Sequence, residues 1–171
     1  MALTLIVTPK ATNANGYVTV AEADAFMSYH PQAAAIWDAL DPDVKIQGIV
    51  TATRALDEMV FWDGFKQTIA QALRWPRAGV TDRDGYMVAV DVIPTFLKNA
   101  TAELARYLIA QDRMKAIDDS SAGLTSVTAG PVSVTFDKSD RLEALPDSVL
   151  SMIYAYSTGQ SGGVAVGLVR A

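Results

Sequence analysis

Asp41-Pro-Asp-Val-Lys-Ile-Gln-Gly-Ile-Val-Thr-Ala-Thr-Arg-Ala-Leu-Asp-Glu-Met-Val-Phe61 is the stretch on which the fold turns. Within it Val44, Ile49, Ala52, Leu56 and Met59 or Val60 recur at three- and four-residue steps, the apolar stripe of an amphipathic helix. Asp41 suits the N-cap and Pro42 the first helical position, where a missing N–H costs no hydrogen bond. The spacing predicts a helix from Pro42 to about Phe61.

Toward the N-terminus, Thr19 and Glu22 stand at the spacing of a capping box, and Ala23, Phe26 and Met27 share a face behind it. A helix to about Tyr29 follows, stopped by His30-Pro31, and a short helix from Gln32 to Leu40 precedes Asp41-Pro42. Residues 1–16 read as a flexible arm and turn around Thr12-Asn-Ala-Asn-Gly16.

Toward the C-terminus the helical period breaks at Trp62-Asp-Gly64. Trp75-Pro-Arg77, Gly79 and Asp84-Gly85 mark a long structured loop up to Asp91, with room for a helical turn around residues 66–73. Pro94 opens a third major helix carrying Phe96, Leu97, Ala100, Leu104, Tyr107 and Leu108, expected to end near Ala116. The period then changes to two from Leu124 to Phe136 about Ala129-Gly-Pro131, as in a hairpin. Leu145-Pro146 starts a final helix to about Ser157. The sum is a mainly α fold, a small bundle of about four to five helices with a β-hairpin: one domain over residues 17–158, then an extended C-terminal tail over residues 159–171.

The 171 residues carry 19 acidic and 14 basic side chains, a net charge of −5, and half are apolar, so a core can form without metals or disulfides. Zero cysteines exclude thiolate chemistry and sulfur-ligated metals. The single histidine, His30, stands before a proline at a helix end and reads as structural. No apolar run reaches the ~18 residues that span a bilayer, and the first residues lack the basic start of a secretory signal, so a soluble chain that is not exported is expected.

Chemical motifs fail one by one. Gly162-Gly-Val-Ala-Val-Gly167 has the outer glycine spacing of a phosphate loop, yet Leu168 and Val169 occupy the lysine and hydroxyl positions. Asp82-Arg-Asp-Gly85 has its glycine two positions too early for a calcium loop and reads as a turn. The pairs Asp57-Glu58 and Asp118-Asp119 point apart on a helix and form no acid–base couple. Trp37, Trp62, Trp75 and the six tyrosines, with Arg74, Arg77 and Arg83 clustered about Trp75, offer the ingredients of single-strand binding, but the net negative charge repels phosphate and the bland reading of the aromatics is core packing. For Trp75-Pro-Arg77 the expectation is an indole plugging the bundle, a proline fixing the chain exit and an arginine free to pair with a carboxylate. The tail alternates Val164, Val166 and Leu168 with small residues and reaches about 40 Å at ~3.3 Å per residue, which suits docking on another chain.

Taken in order, Gly16-Tyr-Val-Thr-Val-Ala-Glu-Ala-Asp-Ala-Phe26, Ala52-Thr-Arg-Ala-Leu-Asp57, Trp62-Asp-Gly64, Gln71-Ala-Leu-Arg-Trp-Pro-Arg77, Asp84-Gly85, Ile93-Pro94 and Ala102-Glu-Leu-Ala105 resemble the head-to-tail adaptor proteins of tailed bacteriophages. Some relatives there are labelled DnaT-like single-stranded-DNA-binding proteins. The resemblance covers roughly residues 16–157, with Gln71 to Arg77 its most specific piece. It implies a helical bundle with a hairpin, assembled as a ring, usually of twelve copies, beneath the portal of the capsid, in the virion neck after synthesis in the host cytoplasm.

The same resemblance implies a set of partners and roles. The tail, with Gly162, Gly163, Val164, Ala165, Val166, Gly167, Leu168, Val169 and Arg170, would dock on the portal protein. Trp62, Gly64, Gln71, Trp75, Pro76, Arg77 and Pro94 would hold the fold. The other partners would be further copies in the ring and a downstream neck or tail-completion protein. Double-stranded DNA would pass the acidic lumen without specific binding, with no membrane, cofactor, metal or catalysis involved. Part of the ring contact is expected from residues 62–91 or 124–136. The alternative is a single-stranded-DNA-binding protein of a replication type using Trp75, Arg74 and Arg77.

Overall fold

The computed structural model of the chain describes residues 3–111, 126–129, 132–135 and 145–160. Helix α1 (Val20–Ser28) begins at the expected capping box: the Thr19 hydroxyl accepts the Glu22 N–H, and the Glu22 carboxylate accepts the Thr19 N–H. The short α2 (Ala34–Asp38) follows His30-Pro31, whose His30 carbonyl takes the N–H groups of Ala33 and Ala34. Asp41 caps α3 (Pro42–Met59) through the Asp43 N–H. Lys45 of α3, almost fully buried, pairs with Asp24 of α1 at 3.0 Å, and Asp24 also accepts the Trp37 indole N–H of α2. One carboxylate thereby fixes three helices.

Helix α4 (Thr95–Ala110) packs along α3, and α5 (Asp147–Ile153) packs on α4. Ile49, Ala52 and Leu56 of α3 meet Leu97, Leu104, Val149 and Ile153 in the core, as the apolar stripes require. Gly48 lets the helices approach: a Cβ there would stand 2.5 Å from Ile109 Cδ1. α4 ends sooner than Ala116, because Gln111 is already extended.

Where a helix to Phe61 is expected, the chain leaves α3 at Met59 as strand β1 (Val60–Trp62). Val60 and Trp62 turn inward and Phe61 outward, so period two replaces the helical period. The expected helical turn around residues 66–73 is absent: Phe65–Lys66 (β2) pairs with Arg77–Ala78 (β3), and the Gln71 side chain takes the Thr68 N–H. The hairpin expected over 124–136 is present as β4 (Ser126–Ala129) and β5 (Val132–Thr135), antiparallel, with Ala129 opposite Val132.

The last helix is shorter than expected. A 3-10 turn (Tyr154–Tyr156) follows α5, and β6 (Ser157–Gln160) then pairs antiparallel with β1. Gly159 and Gln160, the first residues of the expected tail, thus belong to a strand. The remaining tail, Gly162 to Arg170 included, lies outside the described residues, as do Asp118 and Asp119. In place of a flexible arm, residues 3–16 fold back: Asn15 Oδ1 accepts the Ile6 N–H, Asn15 Nδ2 donates to the Thr4 carbonyl, and Ala72 N–H donates to Ala11. Satisfied backbone groups give this segment a fixed course. The architecture is mainly α with a hairpin.

Candidate functional site: a buried lock beneath an exposed apolar loop

The motif residues Trp62, Gly64, Gln71, Trp75, Pro76 and Arg77 come together on the chain between α3 and α4. Trp75 is 1% exposed and stands edge-on to Trp62 and to Phe96, with centroids 5.6 and 5.5 Å away. Phe96 in turn stacks on Tyr156 at 3.7 Å. Neither tryptophan N–H has a hydrogen-bond partner, so what these indoles contribute is aromatic packing. The Trp75–Pro76 peptide is cis.

Gln71 is buried and fully used. Its carbonyl oxygen accepts the Thr68 N–H at 2.9 Å, and its amide donates to the carbonyls of Leu73 and Pro76. Arg77 does not pair with a carboxylate as expected. Its guanidinium donates to the main-chain carbonyls of Trp62, Asp63, Gly64 and Arg74. A planar fork of N–H groups suits several converging carbonyls, and burial followed by the nearby Arg74 charge lowers its pKa. Gly64 is required here, with φ +67° and a Cβ position 2.1 Å from the Ala78 carbonyl oxygen. Pro94 is the N-cap of α4.

A second tie runs to the bundle. The Tyr17 hydroxyl donates to Asp57 Oδ1 and accepts the Trp75 N–H at 3.2 Å, while Asp57 Oδ2 accepts the Arg74 N–H at 3.0 Å. Burial, then the Asp57 charge, pushes the Tyr17 phenol well above its usual range, so it stays protonated and donates. Burial likewise raises Asp57, against the opposing pull of these hydrogen bonds. Asp57 is thus structural, and its neighbour Glu58 points away to Arg54.

The other side of this segment faces water. Among the described residues, seven of the eleven exposed large apolar side chains fall here: Phe61, Phe65, Ile69, Tyr86, Met87, Val90 and Val92. Residues 80–88 form a tongue in which Val88 N–H bonds the Val80 carbonyl, and Asp82 Oδ1 accepts the N–H groups of Asp84 and Tyr86. Asp82-Arg-Asp-Gly85 is therefore a turn, as read from sequence. Among the described residues no three His, Asp or Glu side chains gather as a metal site needs, and no helix is long and apolar enough to cross a membrane.

With this geometry in hand, the profile of the family described as "Putative DnaT-like ssDNA binding protein" matches residues 1–171. The chain belongs to this family. Neither the curated proteins nor the solved structures yield a match. In this DnaT-like chain Trp37, Trp62 and Trp75 are all buried, and Arg77 is spent on carbonyls. Of the trio Trp75, Arg74 and Arg77, only Arg74 reaches the surface. Among the described residues the exposed aromatics are Tyr29, Phe61, Phe65, Tyr86 and Tyr154. Sequence reading counts the tyrosines with the tryptophans as stacking surfaces but does not separate exposed rings from buried ones such as Tyr17, because an exposed ring has no signature of its own.

Proposed function

We propose that the chain is a structural assembly protein, a head-to-tail adaptor of a tailed bacteriophage. In this reading it works as a ring under the portal in the virion neck, forms part of the DNA channel and joins the next neck or tail component. It is not an enzyme and takes no cofactor. The observation that carries the reading is the two-sided loop of residues 61–92. Its inner face spends Gln71, Trp75 and Arg77 on rigidity, and its outer face displays a concentration of apolar side chains. Exposed apolar groups held by a rigid scaffold suit protein contact, since little ordering entropy remains to be lost. The net charge of −5 suits a channel through which DNA passes without sticking.

A second reading, binding of single-stranded DNA, draws on the family description. It would have to use exposed tyrosines and arginines in place of Trp75 and Arg77. Two mixtures separate the readings. Sedimentation of the protein with the portal ring of its own phage should show copies added to the ring. Titration with a fluorescent oligonucleotide at two salt concentrations should show no tight, steeply salt-dependent binding. Failure on the portal with tight oligonucleotide binding would replace the adaptor reading with the second.

A further inference from the structure

We infer that copies of this chain meet head to tail, with the tongue of residues 80–92 on one copy seated in the groove between α2 and α4 of the next. The inference rests on the assembly reading above and names the two surfaces that make the contact.

The tongue is stiff, apolar and negative at its tip. Asp82 N–H donates to the Tyr86 carbonyl at 2.8 Å, Thr81 bridges to Met87, and Gly85 supplies the φ of +87° that closes the turn. Tyr86 and Met87, 73% and 65% exposed, project from it, with Asp84 exposed in the turn and Asp91 exposed where the chain runs on toward Pro94. Arg83, its one cation, is turned aside: it lies over the Tyr154 ring at 4.7 Å and donates to the Ser151 carbonyl at 3.0 Å.

The groove has the opposite character. Ile36, 70% exposed, with Trp37, Leu40 and Ile109 encloses about 120 Å³, room for one large side chain. Arg106 is the only charged residue lining it. That guanidinium is held in place by the buried Glu103 carboxylate and by the Tyr107 ring 4.1 Å away. An apolar pocket whose rim carries the Arg106 guanidinium, its inner side paired with Glu103, matches an apolar tip with the Asp84 carboxylate in its turn.

Their positions decide between contact within a copy and contact between copies. The tongue feeds directly into Pro94 at the start of α4, and Arg106 and Ile109 stand on its last turns, about 20 Å further along at 1.5 Å per residue. Complementary surfaces at opposite ends of one helix cannot meet in one molecule. Between copies they repeat as a heterologous contact, which closes a ring or propagates a filament.

The chain has no cysteine, so cross-linking reads the contact directly. Met87→Cys in one preparation and Ile36→Cys in another, the second carrying a mass tag, are mixed and oxidised. Dimers joining one of each should exceed either homodimer by about tenfold, since only that pair is brought to high effective concentration. Adding Asp84→Lys and Asp91→Lys to the Met87→Cys chain should lower that yield. The statistical 1:2:1 ratio of the three dimers, or no dimer from chains whose circular dichroism is native, would overturn the inference. Ring formation on a portal without this cross-link would overturn this contact alone and leave the assembly reading standing. Absence of both would remove both.

Discussion

The Tyr17 hydroxyl donates to the Asp57 carboxylate across 40 residues of sequence and so fixes the start of α1 to the end of α3. The same hydroxyl accepts the Trp75 N–H while Asp57 accepts the Arg74 N–H, so the pair ties the bundle to the loop at two neighbouring backbone groups. Tyr17→Phe keeps the ring and deletes the hydroxyl. A buried N–H and a half-buried carboxylate oxygen then lose their partner, at about 1–3 kcal/mol. Urea unfolding should show that loss, with amide exchange fastest at Arg74 and Trp75.

Asp57 and Glu22 should give opposite pH slopes. Burial raises Asp57, so the folded state holds its proton more tightly than the unfolded chain does. Its contribution is therefore greatest below the unfolded pKa of about 3.9 and falls as pH rises through the folded value. For Glu22 burial is outweighed by Lys98 and by the Thr19 N–H and hydroxyl, and the pKa is lowered. Its contribution is present above the unfolded pKa of about 4.3 and is lost as pH falls through the folded value. Asp57→Asn should remove a component of stability that declines as pH rises above about 4, and Glu22→Gln one that rises over the acid range below about 4.3. Chemical denaturation at stepped pH checks both signs.

Trp75→Ala removes a buried indole that meets Trp62 and Phe96 edge-on. A cost of about 3–5 kcal/mol is expected, enough to unfold a marginal domain. Trp75→Phe keeps much of the packing and, because the indole N–H has no partner, loses no hydrogen bond. It should fall well short of the alanine variant in a thermal melt.

Arg77→Lys tests the fork. One ammonium can satisfy part of a set of carbonyls that the guanidinium reaches from Nε, Nη1 and Nη2 together. Hydrogen bonds from a charged donor are worth about 1.5–3 kcal/mol, so the substitution should loosen residues 62–78 while α3 and α4 persist. Limited proteolysis should cut within the loop first.

These residues also show what sequence discloses. Thr19 with Glu22 and Asp41 with Pro42 are local signals, because a cap is settled within one turn, and both are realised. The alternation between Leu124 and Phe136 is local too, and β4 and β5 follow it. Arg77 is a different case: three of its four acceptors are main-chain oxygens 13 to 15 residues away, and a carbonyl carries no residue-type signature. The pairing of β1 with β6 joins Val60 to Gln160, two short segments with no shared pattern, so helical period carried the expected end of α3 past Met59. The resemblance marked Gln71 and Trp75 as structural, but their partners are visible only in three dimensions.

That strand pairing fixes where the tail can be cut. Deleting residues 161–171 leaves β6 whole, with Phe61 opposite Gly159 and the Thr158 hydroxyl on the Phe61 carbonyl. Deleting residues 157–171 strips the partner from β1 and the backbone bonds that hold Trp62 against Trp75, so the fold itself should weaken. The shorter truncation should therefore melt like the full chain and, under the adaptor reading, lose attachment to the portal. The longer one should melt earlier. Portal decoration by the 161–171 deletion at the level of the intact chain would sink the anchoring role of Gly162 to Arg170, whereas loss of decoration with an unchanged melt separates anchoring from folding.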